Sequence, residues 1–136
     1  MKYLLDTGIC ISIINERPEH VRARFARHRV GDVGISSITA SELAFGVAKS
    51  KSLRNRRALE QFMLPLDVAA YDAEAAFAYG DIRAGLEARG ILLRPLDRLI
   101  AAHAIALGVT LVTNNEGEFR RVPGLACENW ASPSPR

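Results

Sequence analysis

The sequence predicts an α/β fold in which a mainly parallel sheet lies between helices. Three observations lead there. Short β-type runs alternate with segments of helical periodicity along the whole chain. The segments between runs are long enough for the crossovers of a dozen or more residues that parallel strands require. No internal repeat or break in composition divides the 136 residues, and 49% hydrophobic content can fill one core. The expected organisation is a single domain over residues 1–131 with a disordered tail over 132–136.

Residues 2–5 read as the first strand, which stops on Asp6. Ile9, Ile11, Ile13 and Ile14 carry the apolar run past the length of one strand, so it divides into strand, turn at residues 6–8 and helix. Residues 15–18 close that helix. Pro18 suits the first turn of a second, with Val21 and Phe25 inward and Arg22, Arg24, Arg27 and Arg29 mostly outward. After a turn at Gly31 and Asp32, residues 33–35 form a second strand, and residues 36–39 lead into a helix with Leu43 and Val47 on one face.

A further helix aligns Leu59, Phe62 and Met63, has Arg54, Arg56 and Arg57 near its start, and ends at Pro65. Residues 66–70 read as a third strand. Asp72 caps a long helix with Ala75, Tyr79, Ile82 and Leu86 at helical spacing, and Gly90 stops it. Pro95 starts the next helix, which carries Leu96, Leu99, Ile100, His103 and Leu107 and ends at Gly108. Residues 109–113 are a fourth strand and residues 125–128 a marginal fifth.

No apolar stretch approaches the roughly 18 residues of a membrane helix, and Asp6 comes too early for a secretory signal. The expectation is a cytoplasmic protein with no membrane partner. Cys10 and Cys127 lack metal-site spacing and read as buried free thiols. The net charge of +3 is compatible with a polyanion, and every cation except Lys2, Lys49 and Lys51 is arginine, whose planar fork suits phosphate. Codon bias explains that skew equally well.

In parallel sheets ligands bind beyond the carboxyl ends of the strands, where strand order reverses. Asp6 ends the first strand. Glu42 follows the second in the first turn of its helix, where Thr39 and Glu42 also have the spacing of a capping box. Asp97 lies in the first turn of the helix opened by Pro95, where the dipole favours a carboxylate. Glu118 follows the fourth strand. Each acid has a structural explanation alone, but converging carboxylates repel by a few kcal/mol per pair at about 4–5 Å and an effective dielectric near 20, so a cluster needs a cation. Oxygen donors with no His or Cys select Mg²⁺ or Mn²⁺, ions that make water a nucleophile.

Arg94 and Arg98 flank Asp97 and are placed to touch phosphate, with Thr113 and Asn115 as further polar groups toward substrate. His103 shares an apolar helix face and reads as a hydrogen-bonded core histidine, whereas His20 and His28 read as solvated. Gly46, inside a helix beside Glu42, implies either a close backbone or open space. Trp130 reads as packed.

Four ordered stretches carry a resemblance: Leu4-Leu5-Asp6-Thr7; Ile35 to Thr39 with Glu42, Leu43 and Gly46; Pro95-Leu96-Asp97 with Ile100 to Ala104; and Thr113-Asn114-Asn115 with Glu118, Phe119 and residues 128–130. The chain resembles PIN-domain ribonucleases, specifically toxins of the VapC type, nearly end to end. The resemblance implies a three-layer α/β/α sandwich around a parallel sheet of four or five strands. It also implies Mg²⁺- or Mn²⁺-dependent hydrolysis of RNA, often tRNA and in near relatives the initiator-tRNA anticodon. The implied partners are a small cognate antitoxin, in a toxin-antitoxin hetero-oligomer, and a second copy in a homodimer. Asp6, Glu42 and Asp97 match the family's metal-holding acids and Glu118 its more variable fourth acid, with Asn115 beside it. The chain departs at Gly8, where the family usually has Asn, so an amide that could brace the Asp6 turn is missing.

Asp6-Thr7-Gly8 also spells the triplet of retroviral-type aspartic proteases, but that fold is almost wholly β and the helical pattern over 72–89 opposes it. A phosphate-accepting receiver domain would want a late lysine, and none follows Lys51. A PIN-like module that binds RNA or protein without efficient catalysis is the non-enzymatic alternative.

Overall fold

The computed structural model describes residues 1–132. Strands β1 (Tyr3–Leu5), β2 (Val33–Ser36), β3 (Asp67–Ala69), β4 (Thr110–Val112) and β5 (Cys127–Glu128) form one sheet in the order β3-β2-β1-β4-β5. All neighbouring strands are parallel. From β1 the chain builds outward through β2 and β3, then returns to the other side of β1 with β4. The carboxyl ends of β1 and β4 therefore border the crevice opened by a reversal of strand order.

Alternation along the strands sorts side chains into two cores. Leu5 and Val112 join Ile9, Ile13, Val21, Ile35 and Leu43 on one face, beneath α1 (Thr7–Asn15), α2 (Glu19–Ala26), α3 (Ser37–Ser50) and α4 (Leu53–Met63). Leu4 and Leu111, each one residue earlier, meet Leu86, Ile100, Ala104 and Phe119 on the other face. That face is covered by α5 (Ala73–Ala88), α6 (Pro95–Leu107) and α7 (Glu116–Phe119). The result is the three-layer sandwich, with five strands.

Side chains mark where helices start. Asp6, Ser36, Ser52 and Asp72 accept N–H bonds from Ile9, Ile38, Asn55 and Ala75 at 2.8, 3.0, 3.1 and 3.1 Å. Pro95 opens α6, and Gly108, at φ +68°, ends it.

Several expectations need correction. The Asp6 cap passes β1 directly into α1 at Thr7, with no intervening turn. Ser36, not Thr39, caps α3, so there is no Thr39–Glu42 capping box and Glu42 stands in the second turn. The four residues of α7 are too few for a periodicity to announce. Cys10 is buried but Cys127 only half-buried, and both are free thiols. His20 contacts the Ala131 carbonyl. His28 stacks on Trp130 at 4.6 Å, and Tyr3 meets the indole at 5.3 Å. These half-buried histidines thus tie the residues after β5 to α2 and the turn that follows it, where solvated side chains were expected. His103 is buried as expected, its Nδ1 2.8 Å from Ser36 Oγ. The tail expected to be disordered falls, beyond Ser132, outside the described residues. Among the described residues no helix is long and apolar enough to cross a membrane.

Candidate active site

Asp6 stands one residue past the Leu5–Val112 pair that closes the β1–β4 ladder. Its N–H donates to the Val112 carbonyl at 2.9 Å, and its Oδ1 accepts the Ile9 N–H at 2.8 Å. Both bonds draw the carboxylate into the fold, where it is 6% exposed. Burial pushes its pKa up to about 6. The Thr113 hydroxyl and the Ile9 N–H oppose that shift, while the charges of Asp97 and Glu42 add to it.

Glu42 comes to the same place from α3. The Thr7 hydroxyl donates to Glu42 Oε1 at 2.6 Å, and Thr39 Oγ1 lies 3.3 Å from Thr7 Oγ1. Since an ionised carboxylate can only accept, Thr7 donates to Glu42 and Thr39 donates to Thr7. Asp97 enters from the first turn of α6, where Arg94 Nε donates to its Oδ2 at 2.9 Å. The Arg94 side chain is 79% exposed and that of Asp97 only 13%, so the pair forms the rim of a depression.

That depression is a cleft of about 440 Å³ bounded by Asp6, Glu42, Arg94, Asp97, Asn114 and Asn115. Three of the four acids anticipated thus share one cleft. Glu118 does not line it: this side chain is half exposed and pairs with Arg121. Asn115 takes the place on the β4 side. Arg98 turns inward, its Nη1 donating to the Leu93 carbonyl at 3.2 Å, so it braces the start of α6 instead of facing the cleft. Thr113 is fully buried beneath Asp6, and its Oγ1 accepts the Asn115 N–H at 2.9 Å. Such burial suits positioning, not contact with substrate.

Sequence reasoning passed over two residues. Thr7 is the hydroxyl directly after the strand-ending acid, a signal available in the sequence. Asn114 lines the cleft through a loop conformation that no periodicity encodes.

The cleft at the strand-order reversal and the acids within it agree with the PIN domain family, which matches residues 3–125. The chain belongs to that family. A tRNA(fMet)-specific endonuclease VapC of Salmonella typhimurium is 44% identical over 131 residues, spanning 96% of this chain and 98% of its own. Ribonuclease VapC2 of Rickettsia felis is 42% identical over 132 residues, with 96% and 98% covered. The PIN domain also superposes on a chain of VapBC2 from Rickettsia felis bound to a promoter DNA fragment, with a TM-score of 0.87 and 40% identity over 96% of this chain and 99% of that one. VapBC from Salmonella typhimurium, likewise bound to DNA, gives 0.87 at 44% identity over 96% and 98%. Asp6-Thr7-Gly8 is accordingly the cap and first turn of a PIN-domain helix in a parallel sheet, which removes the aspartic-protease reading.

Whether this PIN domain suits a divalent ion can be judged from its donors. Among the described residues no three His, Cys, Asp or Glu side chains already stand grouped as ligands. Asp97 is engaged by Arg94, and Glu42 by Thr7. The donors nevertheless fit a hard cation: all are carboxylate oxygens, and the charges of Asp97 and Glu42 both act to raise the Asp6 pKa.

Proposed function

We propose that this VapC-type PIN domain is the toxin of a type II toxin-antitoxin pair, an Mg²⁺- or Mn²⁺-dependent endoribonuclease acting on tRNA, in the first place on the anticodon region of the initiator tRNA. The observation that carries this reading is the meeting of Asp6, Glu42 and Asp97 in one cleft at the carboxyl edge of the sheet. The target is supported by relatives in Salmonella typhimurium and Shigella flexneri named tRNA(fMet)-specific endonucleases, 44% and 45% identical.

Asp6, Glu42 and Asp97 are the residues that would hold the ion. When bound, it supplies an activated water and positive charge against the phosphodiester. The Thr113 hydroxyl favours the charged form of Asp6, and the Thr7 hydroxyl orients Glu42. Arg94, exposed at the rim, exchanges Asp97 for an RNA phosphate, and Asn115 borders the strand's path. Glu118 remains at the margin, its charge offset by Arg121.

The partners proposed are a small cognate antitoxin and a second copy of the chain. An apolar groove lined by Ile11, Ile14, Leu43, Val47 and Leu59 adjoins Glu42 and would seat an antitoxin segment within reach of the acids. Gly46 opens onto this groove, with nothing near its missing Cβ. The solved relatives VapBC2 of Rickettsia felis and VapBC of Salmonella typhimurium, both bound to DNA, support that assignment.

The test is induction of the chain alone in bacteria, with RNA ends mapped beside an Asp6→Ala control. Growth arrest with discrete cuts only in the unaltered chain is expected. Identical RNA profiles would overturn the nuclease reading and leave the binding-module alternative.

A further inference from the structure

His103 and Ser36 are polar side chains sealed inside the protein, 1% and 0% exposed, and they meet each other. Nδ1 of one lies 2.8 Å from Oγ of the other. Burial lowers the His103 pKa from its ordinary value, against the Asp72 charge and the Ala70 carbonyl, so the ring is neutral at pH 7. Ser36 Oγ already accepts the Ile38 N–H at 3.0 Å. Its hydroxyl completes the pair in either tautomer, donating to a bare Nδ1 or accepting from a protonated one. Nε2 is buried and no acceptor meets it in hydrogen-bond geometry, although the Ala70 carbonyl acts on the ring from nearby. An apolar side chain would fill this space with no unmet polar atom, so packing alone does not call for histidine here.

The pair joins two layers of the sandwich. Ser36 ends β2 and caps α3, which covers one face of the sheet and carries Glu42 six residues further on. His103 belongs to α6, which covers the other face and carries Asp97 six residues earlier. Asp6 stands between them at the end of β1. Among the described residues this is the only side-chain hydrogen bond between α6 and another helix or strand. The rest of the buried surface of α6 is apolar: Ile100, Ala101, Ala102 and Ala104. Such packing is non-directional, whereas a hydrogen bond fixes distance and direction. Tyr71 backs the same junction, its ring edge-on to His103 at 5.4 Å and its N–H donating to Ser37 Oγ at 3.1 Å.

We propose that His103 is a positioning residue: its bond to Ser36 sets α6 against α3 and so holds Asp97 and Glu42 at the separation a shared divalent ion needs. This rests on the reading of the cleft as a metal-dependent site.

The test compares the parent with His103→Leu, of similar size but without a polar atom, and with His103→Asn, whose amide reaches the place of Nδ1. Mn²⁺ affinity is measured by calorimetry. His103→Leu should weaken it about 10- to 100-fold, the usual effect of losing a group that orients ligands, and His103→Asn should recover most of that loss. Ser36→Gly removes the hydroxyl with a residue that still serves as a helix cap, and should weaken binding likewise. Combined with His103→Leu it should cost no more than either change alone, since both remove one bond. If His103→Leu does not fold, Ser36→Gly and its rescue by Ser36→Thr carry the same comparison. Lower urea stability with parent-like Mn²⁺ affinity, or additive losses in the double variant, overturns the proposal. A second readout needs no ion. In chelator, hydrogen exchange over residues 37–43 and 95–101 should quicken together in His103→Leu, while residues 53–63 exchange as in the parent. Quickening confined to the surroundings of residue 103 overturns the proposal. A parent that binds no Mn²⁺ overturns the metal reading instead, and exchange still decides whether the pair couples α3 to α6.

Discussion

Thr113 sits beside Asp6 just beyond the end of β4, one step past the Leu5–Val112 pair, and its hydroxyl works against the burial that lifts the Asp6 pKa to about 6. The two residues form a unit: a carboxylate sunk far enough to be fixed in place, and a donor that favours its charged form.

Thr113→Val removes the donor and leaves the shape nearly unchanged. The Asp6 pKa should rise further, since a hydrogen bond to the charged form lowers it. The acid limb of the cleavage rate should therefore move to higher pH, with a larger loss at pH 6 than at pH 8, and Thr113→Ser should retain the parent profile. An acid limb unmoved in Thr113→Val would show that the hydroxyl does not tune Asp6.

Asp6 also makes metal-free stability depend on pH. Its folded value of about 6 exceeds the ordinary 3.8, so the native fold holds this proton more tightly than the unfolded chain. The group favours folding below about pH 4, and that contribution, at most ~3 kcal/mol, disappears as pH rises to about 6 and beyond. Urea melts in chelator should show the decline. Asp6→Asn keeps the helix cap and removes the charge, so it should be more stable than the parent above pH 6 yet inactive. Asp6→Ala loses the cap as well, at about 1 kcal/mol. Added Mn²⁺ should stabilise the parent at pH 7 and have less effect on Asp6→Asn.

These effects hang on features only partly legible in the sequence. Asp6 and Asp97 could be placed because each borders a strong boundary, the end of an apolar run and a proline that starts a helix. Glu42 was assigned to the right helix but the wrong turn, because Thr39 and Ser36 are both plausible caps and backbone hydrogen bonding decides between them. Strand type and the two-faced sheet followed from alternation. The directions of Arg98 and Glu118 did not, since each is settled by one contact, the Leu93 carbonyl and the Arg121 guanidinium. Likewise, nothing in the helical pattern of residues 19–26 reveals that His28, just beyond them, will find Trp130.

Arg94 holds Asp97 in the structure and, on the proposed reading, exchanges it for an RNA phosphate. Arg94→Ala frees Asp97 from a cation, so Mn²⁺ affinity measured by calorimetry should hold or tighten. Affinity for RNA should fall, and the slope of log K against log salt should decrease by about 1 if the side chain contacts a phosphate. Weakened Mn²⁺ binding together with unchanged RNA binding would reverse both assignments.

Thr7→Val leaves Glu42 without its 2.6 Å hydrogen bond. Loss of such an orienting partner typically costs about 10- to 100-fold in metal affinity or activity, so Mn²⁺ binding should weaken while Tm changes little. Thr7→Ser should recover most of the affinity. Parent-like Mn²⁺ binding in Thr7→Val would show that Glu42 needs no such support.

The central position of β1 has a consequence for the timing of synthesis. Strand β1 is made before both of its neighbours: β2 begins at Val33 and β4 at Thr110. A nascent chain that stops short of β4 leaves the Asp6 N–H without the Val112 carbonyl and its carboxylate without Thr113, and Asn114 and Asn115 do not yet exist. The cleft cannot assemble until nearly the whole domain has emerged. Products terminated before β4 therefore lack the assembled cleft.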